Sequence, residues 1–182
     1  MFILKKKYSI WFTGLPSSGK TTIAKELIKF LKRYKIPCIL LDGDEIRKII
    51  TKNNFDLNSR IHSTKQYTKL CKILIRSNIL IIVSTNHHTN LQRKYVRKKL
   101  KKKYFEIWVN TPLSTCKNRD VKKLYKKAEV GKIKNLVGFD LKFEKPLNYD
   151  LKINTKKNKT SAAVISVINK LIQKGVIKKI IY

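Results

Sequence analysis

An α/β fold, built as a three-layer sandwich around a five-stranded parallel sheet with an added lid segment, is what this sequence predicts, on three observations. Short apolar, β-rich runs alternate with helical patterns along the chain, the signature of a parallel sheet covered on both faces. The first of these runs is followed by a glycine-rich turn and then by apolar residues at helical spacing. No repeat, Pro/Gly linker or low-complexity tract interrupts the 182 residues, so one domain over 1–182 is expected.

The elements follow in order. Strands are expected at 8–13, 38–42, 79–84, 105–110 and 151–154, from their β-branched and aromatic content. Helices are expected at 21–34, 59–76, 91–100, 112–124 and 161–174. In the first of them Ile23, Ala24, Leu27, Ile28 and Leu31 form one apolar face. Asp42-Gly43-Asp44 reads as a turn into a further helix near Glu45. Thr111 followed by Pro112 reads as an N-cap and first helical position. Residues 122–145 have weak periodicity, contain Gly131 and Gly138, and read as a mobile flap.

The turn after the first strand, Gly14-Leu15-Pro16-Ser17-Ser18-Gly19-Lys20-Thr21, matches G-x-x-x-x-G-K-[ST], the P-loop, in the strand–turn–helix context that the motif requires. Its glycines let successive backbone N–H groups converge on an anion, and the helix N-terminus adds a positive field. The fold is thus of the P-loop NTPase type. Gly14, Ser17, Ser18, Gly19, Lys20, Thr21 and Thr22 are the expected ATP-phosphate contacts, with Thr21 and Asp42 on Mg²⁺. Lys20, Asp42 and Asp44 are the catalytic candidates, the paired carboxylates serving to hold the metal through water and to orient an attacking hydroxyl. Ligands of open α/β sheets bind beyond the carboxyl ends of the strands, so the P-loop, Asp42–Asp44 and the segment 84–90 should converge on one cleft.

Charge is the extreme feature of the composition. Lys+Arg is 43 against 11 Asp+Glu, a net charge of +32. Such a surface attracts nucleic acid, anionic membranes or anionic metabolites. Only seven of the basic residues are arginine, however, and the lysines accompany abundant Ile and Asn, the mark of A/T-rich codon usage on solvated faces. No basic–aromatic recognition module is present. A nucleic-acid-binding protein on a degenerate P-loop domain is the reading from a different class, and the intact Lys20, Thr21 and Asp44 argue against it. Cys38, Cys71 and Cys116 are widely spaced with no C-x-x-C pair, as in a reducing compartment. The opening Met1–Lys7 has its charges after its apolar residues, the wrong order for a signal peptide, and the longest apolar run, 79–83, is too short to span a bilayer. A cytoplasmic protein with a small nucleotide substrate is expected, with no membrane or dedicated nucleic-acid partner and homodimer formation left open.

Beyond the P-loop the chain resembles the adenylyl-sulfate kinase family. That family reads L-D-G-D-x-(I/L)-R, then F-x-x-x-D-R-x-x-N, I-S-P-x-R, T-P-L-x-x-C-x-x-R-D-x-K-G-L-Y and I-K-x-F-T-G-I-D-x-P-Y-E-x-P. Here the matching stretches are 41–47, 55–60, 111–125, 131–140 and 143–146, and the resemblance runs from about Ser9 to Thr155. The segment 111–125 is the most family-specific. The resemblance implies transfer of the ATP γ-phosphoryl to the 3′-hydroxyl of adenylyl sulfate, a step of sulfate assimilation. It implies that Asp44 orients that hydroxyl, that Arg47 and Arg60 bind the phosphate–sulfate end, and that Arg119 lies near the ATP base. It also implies that Phe55 stacks on the acceptor base, and that Lys122–Tyr125 belongs to a closing lid.

Departures cluster on the acceptor side. D-R-x-x-N reads Ser59-Arg60-Ile61-His62-Ser63, and I-S-P-x-R reads Asn86-His87-His88-Thr89-Asn90. The glycine of K-G-L-Y is Lys123, and the second ring expected to stack on the acceptor base is Leu136. These changes leave as alternative a relative acting on another nucleotide, such as a cytidine diphosphoramidate in surface-polysaccharide synthesis.

Overall fold

The computed structural model describes residues 1–50 and 56–180. The chain runs β1 (Phe2–Leu4), β2 (Ser9–Thr13), α1 (Lys20–Arg33), β3 (Cys38–Asp42), α2 (Gly43–Ile50), α3 (Leu57–Leu74) and β4 (Leu80–Ser84). It continues with α4 (Asn90–Leu100), β5 (Tyr104–Val109), α5 (Leu113–Arg119), α6 (Leu124–Glu129), β6 (Leu151–Ile153), α7 (Thr160–Gln173) and β7 (Ile177–Lys179). Strands β2 to β6 form a five-stranded sheet in the order β3-β4-β2-β5-β6, with every pairing parallel. The expected α/β sandwich is therefore the fold, and the five expected strands agree with those observed to within a residue at each end.

Two-residue alternation along the strands divides the interior into two layers. Ile10, Phe12, Ile82, Phe105 and Ile107 face α1 and α7, where Ile23, Leu27, Leu31, Val167 and Leu171 meet them, all 1% exposed or less. Trp11, Leu41, Ile81 and Val83 face the other way, onto Tyr67 and Cys71 of α3 and Val96 of α4. Burial of each such side chain contributes about 1.5–3 kcal/mol, and this double layer fixes the carboxyl edge of the sheet on which the cleft is built. Among the described residues, no helix is long and apolar enough to cross a membrane.

The structure differs from expectation in three places. First, β1 and β7 pair antiparallel and tie the two ends of the described chain together, with Phe2 packed edge-on against Phe30 of α1 and Tyr34 at its C-cap. Three-residue strands beside lysine runs carry no readable period.

Second, the helix expected over 112–124 is broken into α5 and α6, and its start is shifted. Pro112 is the N-cap, and the Thr111 hydroxyl lies within hydrogen-bond reach of the Ser18 carbonyl and the Thr155 hydroxyl instead of capping. Asp120 ends α5 with φ at 24° and accepts hydrogen bonds from the amides of Tyr125 and Lys126, so its carboxylate caps the next helix. Desolvation alone would raise its pKa, but those amides hold it below the usual carboxylate range.

Third, the flap over 122–145 has a core of its own. Cys116, Tyr125, Ala128 and Leu136 pack together there with Leu15 of the P-loop.

Lys123 occupies the left-handed region (φ 52°, ψ 32°) at the start of α6. A side chain there costs about 1–2 kcal/mol, which accounts for glycine in the family pattern. Lys123→Gly is expected to raise stability by about 0.5–1 kcal/mol after allowance for the freer unfolded chain. Urea denaturation measures this, and a lower midpoint would mean that the lysine side chain holds the turn.

Candidate active site

The P-loop joins the end of β2 to α1. Gly14 is required because a Cβ there would lie 2.6 Å from the Val109 carbonyl oxygen of the neighbouring strand. Gly14 is buried beneath the loop, while Ser17, Ser18, Gly19, Lys20, Thr21 and Thr22 line a cleft of about 340 Å³ at the carboxyl edge of the sheet. The expected convergence is found. Asp42 at the end of β3 with Asp44 beyond it, Ser84 at the end of β4 with Thr85 and Asn86 beyond it, and Arg47 line the same cleft. Gly43 is required by close approach, since a Cβ would meet the Ser84 carbonyl at 2.8 Å. The two carboxylates of the Asp-Gly-Asp turn can thus sit against β4.

Lys20 is 8% exposed, and its ammonium donates to the carbonyls of Gly14 (3.0 Å) and Leu15 (2.6 Å). Burial lowers its pKa to about 8, against the raising influence of Asp44 and Asp42. Behind it three oxygens cluster. The Thr21 hydroxyl donates to Asp42 Oδ2 at 3.0 Å and lies 3.0 Å from Ser84 Oγ. Asp42 Oδ1 accepts the Asp44 amide at 2.9 Å. Such a set of small, hard oxygen donors suits Mg²⁺, which takes oxygen ligands and keeps part of its water shell. Among the described residues, no group of three or more His, Cys, Asp or Glu is placed to hold a metal.

Asp44 is half-exposed at the mouth of the cleft. It pairs with Arg47 of its own helix at 3.1 Å and with Lys122 of the lid at 2.5 Å. Desolvation would raise its pKa, but the Lys122 contact together with Arg47 and Lys20 outweighs this and holds it low, so the carboxylate is ionised. The exposed bridge to Lys122 is worth at most about 1 kcal/mol. Tyr125 of α6 donates to the Pro16 carbonyl of the P-loop at 3.3 Å.

Arg119 also lines the cleft. Its guanidinium donates to Thr155 Oγ1 (2.7 Å) and to the Thr155 carbonyl (2.8 Å), and the hydroxyls of Thr155 and Thr111 both reach the Ser18 carbonyl. Ser84 lies in the segment expected at the cleft, whereas Thr155 and Thr111 were not foreseen as site residues. Each of those two follows the end of a sheet strand, and that position was the available signal.

Arg60 lines a second, smaller cavity of about 20 Å³, which shares Arg47, Thr85 and Asn86 with the main cleft. Its guanidinium donates to the Asn135 carbonyl of the lid at 2.7 Å, and burial followed by the charge of Arg47 lowers its pKa to about 10. Leu136 lines neither cavity. It is 4% exposed in the lid core, where an aliphatic side chain finds Tyr125 and Ala128. The base-facing position expected for it is therefore not where the structure puts it. Phe55 lies outside the described residues. His62 is exposed on α3, whereas His87 is buried and stacked on Trp11 at 4.9 Å, with its pKa lowered to about 3 by burial and then by Arg93. His87 is a neutral packing ring.

The path of the segment after β4 is set by Arg93, a buried residue that the motif reading missed. Its guanidinium donates to the His87 carbonyl, to Asn90 Oδ1 (2.7 Å) and to the Glu144 carbonyl (2.7 Å), and it faces buried Glu106 at 3.7 Å.

A family model described as Adenylylsulphate kinase matches residues 6–154. The chain is similar to the adenylyl-sulfate kinase of Gloeothece citriformis, 34% identical over 93% of this chain and 97% of that protein. It is 38% identical to that of Buchnera aphidicola subsp. Schizaphis graminum, over 84% of this chain and 77% of that one. Among solved structures, the Mycobacterium tuberculosis APS kinase in complex with AMPPNP and APS superposes with a TM-score of 0.87 at 28% identity, covering 91% of this chain and 98% of that one.

Proposed function

Because the chain belongs to the adenylylsulphate kinase family, we propose that it transfers the γ-phosphoryl of ATP to the 3′-hydroxyl of adenylyl sulfate. The observation that carries this reading is one cleft holding Lys20, the Thr21–Asp42–Ser84 oxygen cluster and ionised Asp44 side by side. Phosphoryl transfer needs positioning and charge stabilisation more than covalent chemistry, and these are the groups that supply it.

In this reading the P-loop amides and Lys20 hold the ATP phosphates, and Arg119 lies toward the base. Thr21 and Asp42 would hold Mg²⁺, which when bound neutralises charge on the β- and γ-phosphates. Asp44 aligns the acceptor hydroxyl and accepts its proton, while Arg47 and Arg60 hold the phosphate–sulfate end. The names of the relatives and the APS bound to the mycobacterial protein favour adenylyl sulfate over a cytidine nucleotide.

The test uses γ-labelled ATP, Mg²⁺ and separate acceptors: adenylyl sulfate, AMP and CDP. Label is expected in 3′-phosphoadenylyl sulfate alone. Transfer to the cytidine nucleotide instead would overturn the choice of acceptor.

A further inference from the structure

Four buried side-chain polar atoms have no hydrogen-bond partner among the described residues: Thr85 Oγ1, His88 Nδ1, Arg93 Nε and Glu106 Oε1. The last two face each other as an ion pair. Thr85 Oγ1 has no such counterpart, and the His88 ring, which has a side-chain hydrogen bond with Gln92, keeps Nδ1 unpartnered; both residues line the 20 Å³ cavity beside Arg47, Arg60 and Ser63. His88 is 4% exposed and Thr85 is 5% exposed. Buried polar groups in folded proteins are nearly always paired, so two orphans in one cavity call for a partner from outside the chain.

The cavity meets the phosphate cleft at Arg47, Thr85 and Asn86. A group entering it therefore belongs to a molecule already in the cleft. The volume admits one small polar group, comparable to a single water.

Building on the adenylyl sulfate reading, we infer that His88, with Thr85 beside it, is a specificity-determining contact that hydrogen-bonds a polar group of the acceptor nucleotide. The imidazole is suited to this. Burial first, and then the charge of Arg60, lowers its pKa to about 4, so it is neutral at working pH. A neutral ring offers one donor and one acceptor and adds no further positive charge beside the arginines. This chain has histidine at the position where the family pattern has proline. The position of the ring does not rest on the cavity, because the His88 carbonyl accepts the Glu144 amide at 2.9 Å and Arg93 holds the preceding carbonyl. Replacing the side chain leaves those main-chain bonds in place.

The experiment compares equilibrium binding of adenylyl sulfate and of ATP to the whole protein and to His88→Phe and Thr85→Val. His88→Phe is expected to weaken adenylyl sulfate binding about tenfold, the scale of a buried polar atom left without its partner, with ATP binding within twofold of wild type. Thr85→Val should move the same way by less. The ¹⁵N signals of the His88 ring in wild type are expected to shift on addition of adenylyl sulfate and to stay in place with ATP alone. That readout does not depend on how either variant folds. Unchanged binding in both variants together with an unmoved ring signal would overturn the inference and leave water as the occupant of the cavity. Wild type that binds ATP but not adenylyl sulfate would instead overturn the acceptor reading on which the inference rests.

Discussion

Lys20→Ala is expected to lower turnover by at least about 100-fold, the scale set by removal of one preorganised donor to the transferring group. The side chain is buried between the loop carbonyls and the two aspartates, where a positive charge acts in a low dielectric and is not replaced by water. Stopped-flow single turnovers with Mg-ATP measure the effect, and a rate near wild type would remove Lys20 from the chemistry. The pH profile gives a second check. Burial brings the ammonium down to about 8 from 10.5, so the free protein loses this charge as pH rises through 8. ATP favours the charged form, so its dissociation constant should be flat below pH 8 and should climb above it. In Lys20→Ala that rising limb should flatten.

Asp44→Asn is expected to separate binding from transfer. The amide keeps the size of the side chain but gives up the charge that accepts a proton, and general-base roles of this kind contribute about 10²–10⁴-fold. ATP affinity, set by the P-loop, should stay within a few-fold of wild type while transfer to adenylyl sulfate falls by at least about 100-fold. Calorimetry and product formation on the same preparation distinguish the two. A joint collapse of affinity and turnover would mean that Asp44 serves the metal-bound nucleotide. Because Lys122 and Arg47 both hold Asp44 ionised, its carboxylate is ready over the whole neutral range.

Much of this site was readable from local sequence because its parts obey local rules. A P-loop needs a buried strand, a glycine turn and a helix in succession, and all three lie within residues 8–34. Asp42 and Asp44 follow a strand end, where open sheets bind ligands. What could not be read depends on distant partners. The hydroxyl of Thr111 has a cap position in sequence, yet its partners are 93 and 44 residues away. Leu136 matches a base-stacking position by motif, but an apolar lid core competes for it. Helix α3 was expected, but not the polar part of its buried side: beside Tyr67 and Cys71 it buries Arg60, Ser63, Thr64 and Thr68, several of them hydrogen-bonded back to their own helix. Arg93 and Glu106 carry no signal in the local pattern, and only the packing of α4 on β5 reveals them as buried partners.

The grip of Arg93 bears on how such a site diverges. It holds the segment after β4 by the main-chain oxygen of His87 and ties it to the main-chain oxygen of Glu144, both of a kind that every amino acid carries, with Asn90 Oδ1 as the side-chain contact. The course of the backbone is thereby insulated from the identity of the side chains along it. Exchanges at Asn86 and His88 leave those bonds in place, so change there explores new ligand contacts on a fixed frame, whereas the His87 ring packs on Trp11 and the Thr89 hydroxyl caps α4. A lineage that keeps this arginine can revise what it recognises before it risks how it folds.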